Sequence, residues 1–216
     1  DVQSGIRGQM KVCYRRIDSV HFDLLLRRDS RMAYEQIEVP VGCYMSAGDI
    51  QPTCGFADLR QFSAMDSPDF FYDPSHFNAQ LLWFREGYVE YHLPKKNAGK
   101  PALAFLEISF EACSEAQGYK NDWPSNIYVS INDQVIGLWR CPGDFGGRRG
   151  ILTPSWWPEY NTKYGRLTTW RVNDRGTWLD KEPVSNVTLD RLRLAERDFI
   201  SLRIGVVKEA NHAGGL

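Results

Sequence analysis

Five carboxylates, Glu107, Glu111, Glu115, Asp122 and Asp144, lie in or beside aromatic-rich stretches of the chain. Two carboxylates facing one sugar could act as the acid and base of glycoside hydrolysis. Spacing along the chain does not supply the separation this chemistry needs, and carboxylates on strand exteriors are commonly solvated charge. A denser signal is CPGDFGGRRGILTPSWWP, Cys141–Pro158. It sets Asp144, the pair Arg148–Arg149 and the pair Trp156–Trp157 among Gly143, Gly146, Gly147 and Gly150. Trp faces stack on the C–H faces of sugars or on other flat ligands. An arginine fork donates to anions or hydroxyls, and an Asp accepts from hydroxyls. Glycines permit positive φ and close backbone approach. The stretch is therefore expected to form one wall of a small polar-ligand pocket. The alternative is that Asp144 pairs with an arginine while the tryptophans close the end of the core.

Two other segments share this character. GYKNDWPSN, Gly118–Asn126, contributes Asp122 and Trp123, and EYNTKYGRLTTW, Glu159–Trp170, contributes Tyr164. With His212 near the end of the sequence, the candidate ligand-binding set is Asp122, Trp123, Asp144, Arg148, Arg149, Trp156, Trp157, Tyr164 and His212.

Other chemistries find little support. The histidines, His21, His76, His92 and His212, form no HxH or HExxH. No GxSxG or P-loop occurs, and GDFGGRRG lacks the GK[ST] ending. No metal, cofactor or catalytic residue is expected, and the chain is read as a non-enzyme. Five cysteines without a CxxC indicate neither a disulfide framework nor a zinc knuckle, and suggest a reducing cytoplasm. Cys54, in PTCG, is either a reactive thiol in a polar turn or a structural cysteine. A net charge of -1 argues against a nucleic-acid surface spread over the chain. No apolar run is long enough to span a membrane.

The elements that must position these loops are strands. Period-two patterning dominates, and 13% of residues are aromatic. In ALAFLEISFEA, Ala104, Leu106, Ile108, Phe110 and Ala112 share one face. NIYVSIN and VIGLW read as a hairpin turned by NDQ, and LTTWRVNDRGTWL as another turning at Asn173–Gly176. LLWFREGYVEYHLP reads as a further hairpin turning at Arg85–Gly87, with Val89, Tyr91 and Leu93 buried. DFISLRIGVV is a late strand with Ile200, Leu202, Ile204 and Val206 inward. MKVCYRRIDSVHFDLLL and YEQIEVPVGCYM are strand-like near the start. PSHFNAQLLWF is expected to open with a turn of helix, and TLDRLRLAERD fits either a helix or a strand. The pattern predicts an all-β fold, an antiparallel jelly-roll-like β-sandwich with minor helical insertions, as a single domain over 1–216. Inter-strand loops gather at the ends of such a sandwich, and sites form there.

SEAQGYKNDWPSNIYVSINDQVIGLWRCPGDFGGRRG, then PSWWP, KYGRLTTWRVN and NHAGGL, resemble the C-terminal region of bacterial ArsR-like winged-helix transcriptional regulators. PTCG and AQLLWFREGYVEYHLP fit the same pattern, so the resemblance covers roughly 40–216. It implies an effector-sensing domain with a galactose-binding-like sandwich, its effector a carbohydrate or related small polar metabolite; the expected assembly is a homodimer in the cytoplasm. DNA would be bound only through a winged helix-turn-helix domain outside these residues. The alternatives are a carbohydrate-binding module or glycoside hydrolase fragment, and a purely structural dimerisation domain.

Overall fold

A computed structural model describes residues 19–28, 31–95, 103–150, 153–207 and 214–216. Two antiparallel sheets of six strands each account for most of them, so the fold is an all-β sandwich. The first sheet runs, edge to edge, β11 (Glu182–Ser185), β10 (Thr177–Leu179), β9 (Arg166–Val172), β6 (Leu103–Ala112), β1 (Ser19–Arg28) and β2 (Arg31–Pro40). The second runs β4 (Phe62–Met65), β3 (Ser46–Ala57), β5 (Leu81–Pro94), β12 (Phe199–Val206), β7 (Ser125–Ile131) and β8 (Gln134–Cys141). The chain changes sheet after β2, β5, β6, β8 and β11.

Alternation along the strands explains why the two sheets face each other. Leu106, Ile108 and Phe110 of β6 meet Val89, Tyr91 and Leu93 of β5, and Ile200, Leu202 and Ile204 of β12, in one buried cluster. Burying such side chains contributes on the order of 25 cal/mol per Å² of apolar surface. The β7–β8 turn places Asn132 and Asp133 at φ 48° and 65°, as a two-residue type I′ hairpin requires. The Asn173–Gly176 hairpin joins β9 and β10.

One expectation changes, and one open alternative is decided. LLWFREGYVEYHLP is one uninterrupted strand, β5, paired with β12 from Gly87 to Pro94 and with β3 over most of its length. Gly87 does not turn the chain. It has φ +114°, and a Cβ there would stand 2.7 Å from the Gly48 carbonyl oxygen and 2.8 Å from the Ile50 nitrogen. The glycine accommodates an irregularity in β3, whose register to β5 shifts between Gly48 and Gln51. Residues 189–192 form a short 3-10 turn, not a strand, which buries Leu192. The expected turn in PSHFN is also a 3-10 element. Among the described residues, no helix is long and apolar enough to cross a membrane.

Candidate functional site

The three aromatic-rich segments meet at one end of the sandwich. Two isolated bridges zip them together, Lys120 with Asp144 and Phe145 with Tyr164. Glycine makes the approach possible at two points. A Cβ on Gly143 would lie 2.1 Å from the Asn121 carbonyl oxygen, and one on Gly146 would lie 2.2 Å from the Tyr119 ring. The chain then folds back on itself. Thr153 Oγ1 accepts from the Gly150 amide at 3.0 Å and donates to the Lys163 carbonyl at 2.6 Å.

Between this folded-back loop, the end of β6 and the β3–β4 edge lies a cavity of about 830 Å³. That volume is within the range of small-molecule sites. Its aromatic wall centres on Phe62, whose ring lies 5.0 Å from Trp157, 5.5 Å from Trp156 and 6.1 Å from Trp83. Trp156 Nε1 donates to the Leu59 carbonyl at 2.7 Å, tying the loop to the β3–β4 turn. Trp157 Nε1 donates to the Thr162 carbonyl at 2.5 Å. Four carboxylates, Asp58, Asp66, Glu111 and Glu115, also line the cavity.

Their environments differ. Asp58 is consumed by its own turn, accepting from the Arg60 and Gln61 amides and the Ser63 hydroxyl. Asp66 accepts from the Cys54 amide at 3.2 Å. Burial raises Glu111 above the ordinary carboxylate range, against the pull of the Gly165 amide that it accepts at 2.6 Å. Glu115 is pushed up to about 7, chiefly by burial and then by the charges of Asp144 and Asp66, although the Thr53 hydroxyl donates to it. Perturbed carboxylates gathered in one cleft are a recognised mark of a functional site.

The expected site residues divide. Trp156, Trp157 and Tyr164 line the cavity. Asp144 stands one layer behind it and is 0% exposed. It accepts from the Ala116 amide at 2.9 Å and from the Thr162 hydroxyl, and burial pushes it up to about 6. It braces two segments of the cavity wall and has no arginine among its partners. Neither Arg148 nor Arg149 lines the cavity. The Arg148 guanidinium lies 4.9 Å from the centre of the Tyr164 ring. Arg149 donates to the Thr153 and Pro154 carbonyls and meets Glu159 at 3.5 Å. The Arg149 bonds tie its guanidinium to the loop itself, away from the cavity. Asp122 is exposed and outside the lining, as is Trp123, which donates through Nε1 to the Glu115 carbonyl beneath Lys120. His212 lies outside the described residues.

Of the other residues weighed from the sequence, Glu107 pairs with Arg171 across β6 and β9 at 2.6 Å. Cys54 is fully buried in β3 with its thiol pushed up to about 11 by burial, which removes the reactive reading. Sequence reasoning missed Phe62, Trp83, Asp66 and Lys163, which reach the site from β3–β4, β5 and the folded-back loop. Among the described residues, no group of three or more His, Cys, Asp or Glu could hold a metal ion. No protein-family model, no curated protein and no solved structure matches this chain.

Proposed function

We propose that these residues form the effector-binding β-sandwich of a bacterial transcriptional regulator, and that a small polar metabolite occupies the cavity. The observation that carries the ligand reading is the cavity itself, about 830 Å³, where an aromatic wall and several polar groups converge at one end of the fold. The regulator reading rests on the sequence resemblance. Contact with DNA then belongs to a helix-turn-helix domain outside the chain. The structural-plug alternative is less favoured, because the tryptophans border an open volume.

Two measurements test this. A ligand at a hundredfold excess over its Kd stabilises the native state by about 2.7 kcal/mol. That raises Tm by roughly 5–10 °C for a domain of this size. Thermal-shift titration with a panel of sugars, amines and other polar metabolites is expected to give at least one such shift. It is also expected that Trp156→Ala, which removes part of the aromatic wall, reduces the shift. A panel that shifts nothing counts against the reading. Separately, the 216 residues should bind duplex DNA no more tightly than non-specifically, given the charge of -1. Sequence-selective binding in a mobility-shift titration at physiological salt would overturn that.

One feature favours a second reading, a glycoside hydrolase. Glu111 and Glu115 line the same cavity, and Glu115 holds its proton close to neutrality, as a general acid must. We expect no turnover of aryl-glycosides. Turnover that disappears in Glu115→Gln would promote the hydrolase.

A further inference from the structure

The charge of the cavity narrows the class of effector. Its lining carries four carboxylates, and Lys163 is the one cation among the described lining residues. Lys163 is already committed, since its Nζ donates to the Pro158 carbonyl at 2.8 Å and meets the Glu159 carboxylate at 3.4 Å. Arg148 and Arg149 are turned to Tyr164 and to loop carbonyls. Above neutral pH, where Glu115 has lost its proton, an anion entering this space would meet like charge in a partly desolvated volume, where like charges repel far more strongly than in water.

A cation meets the opposite. The faces of Trp83, Trp156 and Trp157 carry the negative end of the aromatic quadrupole and attract a positive centre within about 6 Å. Buried carboxylates lose solvation on folding, and a cationic ligand restores a partner to them.

We infer that the cavity selects an organic cation, a positive centre carried on an apolar aromatic body, over a neutral sugar or an anion of the same shape. This rests on the reading of the cavity as an effector site and names what that site takes.

Tetraphenylphosphonium and tetraphenylborate share shape and apolar area but differ in the sign of their charge. Isothermal titration of the chain with each, and with galactose as the neutral sugar, separates the cases. The phosphonium is expected to bind at least about tenfold tighter than the borate at pH 8, where Glu115 is mostly ionised. Glu115→Gln keeps the shape of the side chain and removes its charge. It should weaken phosphonium binding by about fivefold to tenfold while leaving the far-ultraviolet circular dichroism spectrum unchanged. Asp66→Asn provides a second removal of charge, just past the end of β4, with a loss in the same direction. Borate binding as tight as phosphonium binding, or phosphonium affinity unchanged in both variants, overturns the inference. Galactose binding without phosphonium binding overturns it too, while leaving the effector site in place. Failure of all three probes to bind overturns the cation class together with its effector site.

Discussion

Trp157→Ala should lower the free energy of unfolding by about 3–5 kcal/mol, the usual loss for truncating a buried tryptophan. Trp156→Ala should lower it by only about 1–2 kcal/mol, because less apolar area is removed from water there. The neighbours in sequence occupy different environments. Trp157 is 8% exposed, packs against Phe62 and holds the Thr162 carbonyl through its indole N–H. Truncation removes the ring and leaves that carbonyl without its donor. Trp156 is half-buried, and its ring meets Phe62 and Trp157 edge-on. Its loss should appear in ligand affinity, about tenfold, more than in folding. Urea denaturation of both variants at one pH, followed by titration with a cavity ligand, checks the pair. Equal losses of stability would mean that the two tryptophans form a single plug, and the cavity would lose its stacking wall.

The second large effect is a dependence of stability on pH that runs opposite to ordinary acid denaturation. Glu115 and Asp144 are held above their unfolded values, to about 7 and about 6, in both cases chiefly by burial. A raised carboxylate favours the fold in its protonated form. The stability it contributes is fully present below the unfolded value and is lost as pH rises through the folded one. Between about pH 4.5 and 7.5 the chain should therefore lose stability, by roughly 2–4 kcal/mol after allowance for solvent screening and for the coupling of the two groups. Glu111 acts in the same direction. Glu90, Asp58 and Asp73 are lowered, so their contributions are lost only as pH falls below the ordinary carboxylate range. The groups facing Glu115 are Asp144 and Asp66, with the Thr53 hydroxyl. Chemical denaturation at pH 5 and pH 8 measures the slope. Glu115→Gln should flatten it and stabilise the protein at pH 8. A parent with equal stability at both pH values would show that neither carboxylate is desolvated.

How far the sequence reached depends on the range of the interactions involved. Strand faces are local, so the alternation in β6 and β12 was legible, as were the turns at Asn132–Asp133 and Asn173–Gly176. Gly87 misled because a glycine after Arg85-Glu86 looks like a turn, while its cause, the backbone of Gly48 and Ile50, lies nearly forty residues away. The site divides in the same way. Aromatic crowding around Trp156, Trp157 and Tyr164 is visible in composition, and those residues line the cavity. The roles of Arg148, Arg149 and Asp144 are set by partners such as Pro154, Tyr164 and Ala116, and side-chain chemistry alone does not reveal which groups are already satisfied. Phe62 and Trp83 belong to sheet strands whose contact with the loop is fixed only by the tertiary fold. Glu115 lies just past the end of β6 and carries no local mark of its burial, so it could not be told apart from Glu107, which is paired with Arg171 across β6 and β9.

The two bridges that join the end loops, Lys120 with Asp144 and Phe145 with Tyr164, are single rungs and not parts of a ladder. Breaking one of them costs a few hydrogen bonds and leaves both sheets intact. Opening of this end is therefore a local event, far cheaper than global unfolding, and it recurs many times within the lifetime of the folded state. The amides of Asp144 and Lys163, which donate to Lys120 and Phe145, exchange with solvent hydrogen through that breathing, whereas those of β5 and β12 wait for the sandwich to come apart.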